Sequence, residues 1–73
     1  MAQIGMPSKE KIIGEFETMK SFELSAKDLY ARIAVDPTVR QKKVKDTFAS
    51  LAREEQQHAQ VVQEIIDLIR QSL

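Results

Sequence analysis

Seventy-three residues, 42% of them hydrophobic, with 11 basic and 11 acidic side chains, make at most one small domain. A core of that size supplies little net stability without a staple, a metal or a partner chain, and the absence of cysteine excludes disulfides, thiolate metal sites and iron–sulfur clusters. A formal net charge of zero removes a global pull toward nucleic acid or anionic lipid, so neither is an expected partner.

In chain order, residues 1–7 (MAQIGMP) read as a flexible N-terminus. They lack the charged and apolar regions of a signal peptide, so the expected location is the cytoplasm or the inside of a cytoplasmic assembly. Ser8 is a plausible N-cap, with Glu10 near the positive end of the helix dipole, and a first helix is expected over about 8–35. Gly14 lies inside it, at a cost of about 1 kcal/mol relative to Ala. The run VDPT then breaks the pattern, and a turn is expected at about 36–40. Asp36 followed by Pro37 has the form of an N-cap and a first-turn proline, so the next helix should start between 37 and 42. It is expected over about 41–71. Its most apolar part, VVQEIIDLI, is interrupted by Gln63, Glu64 and Asp67 and cannot span a bilayer. With no useful β-type alternation, residues 8–73 should form an all-α antiparallel two-helix hairpin.

Each helix carries an apolar stripe at heptad spacing. In the first it is Ile12, Phe16, Met19, Glu23, Ala26, Tyr30 and Ile33. In the second it is Val44, Phe48, Leu51, Glu55, His58, Val62, Ile65 and Ile69. Ile13, Phe22, Leu29, Ala52, Ala59 and Ile66 widen the stripes beyond what two helices can cover, so the hairpin is expected to dimerise into a four-helix bundle.

Glu23, Glu55 and His58 are the polar exceptions within the stripes. Glu55 and His58, three apart, share a helix face. The midpoint of Glu23 and Glu55 is residue 39, inside the expected turn, so an antiparallel pairing sets the three at about one height. Both Glu55 and His58 are therefore expected in the buried stripe. Two chains related by a twofold axis through that level would bring together four carboxylates and two imidazoles. Burying unpaired carboxylates costs several kcal/mol each, and four of them balance two divalent cations. Oxygen-rich ligation with one imidazole per metal suits iron or manganese. Glutamate plus Glu-x-x-His facing inward from helices is the recurrent di-iron arrangement of four-helix bundles.

On these residues the chain resembles half of a ferritin-like domain. FELSAKDLYARIA places Glu23 seven residues before Tyr30, FASLAREEQQHA contains Glu55-Gln56-Gln57-His58, and the 32-residue spacing from Glu23 to Glu55 is similar to that between ligand helices of rubrerythrins and ferritins. The likeness covers about residues 12–70. Ferritins and rubrerythrins carry a second ligand-bearing helix pair in the same chain; the half-size form here resembles the encapsulated ferritins. That resemblance implies a homodimer with a di-iron centre between its chains, dimers assembled into a larger ring, and a protein nanocompartment shell as partner. It implies ferroxidase activity, in which Fe(II) is oxidised by dioxygen or peroxide for iron storage or protection from oxidative stress. Glu55 would bridge the metals, Glu23 would be a terminal ligand and His58 would fix each iron. Encapsulated ferritins also carry a C-terminal address for their shell, whereas this sequence ends at IRQSL. Without cysteine, multi-turnover peroxide reduction would need an external electron donor.

The plainer readings are also expectations. Glu23 would serve equally in a salt bridge to Lys27 or Arg53, and Glu55 with His58 in a polar layer that sets bundle register. Tyr30 is either core or a hydroxyl donor to a ligating carboxylate. Glu54 faces away from the stripe centre, and the basic run Arg40 to Lys45 has no interleaved aromatics and reads as a solvated turn. The rival function is a non-catalytic structural or adaptor hairpin, dimerised through a metal-free polar layer.

Overall fold

A computed structural model describes residues 8–72. It contains two α-helices, α1 over Lys9–Val35 and α2 over Lys42–Ser72, and no strand among the described residues. The expected N-terminal segment 1–7 and the terminal Leu73 lie outside the described residues.

Ser8 starts α1 in extended conformation, and its hydroxyl accepts the otherwise unpaired N–H of Lys11 at 3.1 Å. At the other end the Asp36 N–H donates to the carbonyl of Ile33, closing the last turn. Asp36 does not cap α2, as its position before proline suggests. Its carboxylate accepts from the Thr38 N–H at 2.8 Å and the Thr38 hydroxyl at 2.6 Å, and its carbonyl accepts from Val39 N–H at 3.0 Å. The residue thus organises a four-residue turn around Pro37. α2 begins further on, where the Gln41 carbonyl accepts the Lys45 N–H.

The helices run antiparallel, and the pairs that meet across them step outward from the turn in register. Tyr30 and Phe48 stack tilted with ring centroids 5.8 Å apart. Beyond them come Glu23 with His58, then Lys20 Nζ donating to Gln63 Oε1 at 2.6 Å, then Lys9 Nζ donating to the Arg70 carbonyl at 2.8 Å. The hairpin is only 13 Å thick in its thinnest dimension, a single layer of helices.

A single layer leaves little inside. Among the described residues the buried hydrophobic side chains are Ala59, Val62 and Ile66, all on α2, and α1 buries none fully. What remains open has a side. Both helices are right-handed and run in opposite directions, so the residue one step before a seam position points to the same flank on each. Phe22 precedes Glu23, Leu29 precedes Tyr30, His58 precedes Ala59, Val61 precedes Val62 and Ile65 precedes Ile66. That flank carries the exposed apolar side chains Phe22, 71% exposed, and Val61, 51% exposed, beside His58 and, by the same rule, Glu15, Thr47 and Glu54. Residues one step after seam positions point to the opposite flank: Glu17, Gln63, Asp67 and Arg70. There Arg70 comes across to within 3.5 Å of Glu17, and within α2 Gln63 donates to Asp67 at 3.0 Å.

Candidate metal centre

The three expected residues come together. One ligand-capable atom from each of Glu23, Glu55 and His58 lies within 4.8 Å of the others, and no other such group forms among the described residues. α1 supplies Glu23 from its middle. α2 supplies Glu55 and His58 from one face, three residues apart. His58 Nδ1 is 3.4 Å from Glu23 Oε2 and 3.8 Å from Glu55 Oε1, contacts too long for strong hydrogen bonds.

Burial differs among them in a way the apolar stripe does not foretell. Glu23 and Glu55 are largely covered, with side chains 24% and 20% exposed. His58 is 59% exposed, which corrects the expectation that it is buried with Glu55. It sits on the open flank because it precedes the buried Ala59, whereas Glu55 lies one turn back toward the seam. The imidazole therefore reaches back over the seam with one ring nitrogen toward the carboxylates.

The electrostatics of the pair are unfavourable without a counter-charge. The Glu55 carboxyl is held above its ordinary range. The foremost cause is that Glu23 opposite it accepts a hydrogen bond from the protonated form; loss of water and the Glu23 charge add to it, and His58 opposes them. Glu23 Oε2 is cut off from solvent and has no hydrogen-bond partner. A buried oxygen in that condition costs about 1–3 kcal/mol, more when charged, so it fits a site meant to receive a cation. Two carboxylate oxygens and an imidazole nitrogen are also a donor set that divalent iron or manganese accepts.

The plainer partners expected for Glu23 are engaged elsewhere. Lys27 lies 3.6 Å from Asp28, and Arg53 donates to the Ser50 hydroxyl at 3.1 Å. Tyr30 belongs to the packing: its ring meets Phe48, and its hydroxyl takes part in none of the side-chain hydrogen bonds found among the described residues. Glu54 is exposed. Two shallow surface grooves, one over Lys42, Lys43, Asp46, Thr47 and Ser50 and one over Asp28, Ala31, Arg32 and Val35, share no residue with the cluster. No helix among the described residues is long and apolar enough to cross a membrane.

Comparison with family models, with curated proteins and with solved structures finds no match. The reading of the cluster rests on its geometry and the chemistry of its donors.

Proposed function

We propose that this chain is a ferritin-like di-iron carboxylate protein with ferroxidase activity, oxidising Fe(II) at a site formed between two copies. The observation that carries the reading is the meeting of Glu23, Glu55 and His58 within 4.8 Å, with Glu23 Oε2 buried and unpartnered. Glu23 and Glu55 would supply oxygen donors and negative charge, and His58 the nitrogen donor that fixes each ion. Iron held there supplies the one-electron redox step toward dioxygen or peroxide. The packed seam on either side of the cluster, from Phe48 to Ile66, holds the carboxylates in place and keeps water from their inner side. Manganese suits the same donors.

The second copy enters through the open apolar flank. Phe22, Leu29, Val61 and Leu68 are each close to half exposed or more, and they lie on the side toward which His58 projects. A copy seated there would complete a four-helix bundle and bring two clusters together. Dimers could close into a ring, and a nanocompartment shell in the cytoplasm is the candidate enclosure. The test is iron-dependent oxygen consumption with appearance of ferric absorbance. The wild-type chain should show both, and Glu55→Ala and His58→Ala should lose both. A wild-type chain that takes up no iron would end the reading.

A structural or adaptor hairpin is the second reading, favoured by the contact of His58 with both carboxylates, which a protonated imidazole turns into an ion-pair layer. It requires that Glu55→Ala and His58→Ala leave assembly intact and that the wild-type chain takes up no iron.

A further inference from the structure

We propose that a single hairpin captures one divalent transition-metal ion by itself, through Glu23, Glu55 and His58, before a second copy joins. The proposal rests on the reading of these three residues as metal ligands and concerns which species binds first.

Three observations carry it. The donor atoms of one chain already converge: the two contacts of His58 Nδ1 with the carboxylate oxygens are 3.4 and 3.8 Å. A tetrahedral ion with bonds of about 2.1 Å spaces its donors about 3.4 Å apart, so small side-chain adjustments are enough. Charge is also complete within the chain, since two carboxylates and a neutral imidazole balance one divalent cation. Carboxylates from a second chain around the same ion would overshoot that balance unless a second ion came with them. Finally, the orphaned Glu23 oxygen exists in the single hairpin, so the unmet acceptor that a cation would satisfy is present before assembly. The exposed side of His58 leaves a way in for the ion and room for water on its remaining positions.

Metal occupancy should therefore be one ion per chain and independent of association. The experiment uses Co(II), whose visible absorption reports ligation, on the full chain and on the double variant Leu29→Lys, Leu68→Lys. Both leucines lie outside the cluster, and like charges on the apolar flank keep copies apart. Sedimentation should give a monomer with retained helical circular dichroism. That monomer should bind one Co(II) per chain, with Kd within about threefold of the wild-type value, and His58→Ala should abolish the absorption. If the double variant fails to fold, wild-type chain diluted until it sediments as a monomer gives the same readout. A folded monomer that binds no Co(II), while associated wild type binds one per chain, would overturn the proposal and leave the intersubunit reading standing. Failure of both to bind would overturn the ligand assignment itself.

Discussion

His58 Nδ1 approaches Glu23 Oε2 to 3.4 Å across the hairpin, although 34 residues separate them in the chain. The imidazole rises from the exposed flank of α2, and the carboxylate oxygen it approaches is closed to solvent. That pairing links the covered and open sides of the molecule.

Removing a ligand should separate metal binding from folding. His58 is more than half exposed, so His58→Ala costs little packing and should leave the helical circular dichroism of the metal-free chain unchanged. Iron affinity should fall by at least tenfold. Isothermal titration beside circular dichroism checks both, and a loss of helix equal to the loss of binding would point to a structural role.

Without metal, the paired acids make the hairpin less stable as pH rises. The folded-state pKa of Glu55 is raised above its usual 4.5, so in the window just above that value the folded chain holds more protons than the unfolded one. That contribution is present at low pH and is lost as pH climbs through the raised pKa. Glu23→Leu removes both the acceptor and the charge that raise it. The chelated variant should melt higher than the chelated wild type at pH 7, with the slope reduced, as thermal melts from pH 4 to 7 would show.

Asp36 works in the opposite direction. Its carboxylate accepts two hydrogen bonds from Thr38, which hold its pKa below the usual 3.8. Its contribution is therefore present above the unfolded value and disappears as pH falls through the lowered folded one. Asp36→Ala should lower the melting temperature at pH 7 and converge with wild type in strong acid. An equal loss at both pH values would contradict the charge-assisted turn.

Gly14 should be an improvable position. A Cβ built there meets nothing within 4 Å, and the residue lies in the interior of α1. Gly14→Ala should stabilise the chain by about 0.5–1 kcal/mol through helix propensity and reduced freedom of the unfolded chain. Urea denaturation with an unchanged m-value would measure it.

The open flank should govern association. Phe22 is 71% exposed, so Phe22→Asp should keep α1 helical while abolishing any dimer seen by sedimentation. An unaltered dimer would move the interface elsewhere.

Both helices and the height at which the three polar residues meet were legible in the heptad spacing, because antiparallel pairing about a short turn leaves one register. Asp36 was misread because an N-cap and an Asp-led turn share one signature: a side-chain oxygen taking an N–H two residues on, followed or preceded by proline. The exposure of His58 was hidden for another reason. A stripe wide enough for two neighbours does not reveal which of its edges the first neighbour covers, and only the register of Ala59, Val62 and Ile66 decides that. Tyr30 shows the same ambiguity, since its spacing from Glu23 is equally that of a packing residue, and Phe48 claims its ring.

The division of the hairpin into two flanks limits what it can build. Glu17, Gln63, Asp67 and Arg70 make the back polar toward the end away from the turn, and the exposed Phe22, Leu29, Val61 and Leu68 make the front the more adhesive side. Endless stacking into fibres requires two adhesive faces on each unit, whereas a unit with one self-complementary face pairs about a twofold axis and stops. Growth beyond a pair would then have to use the ends or the edges of the hairpin.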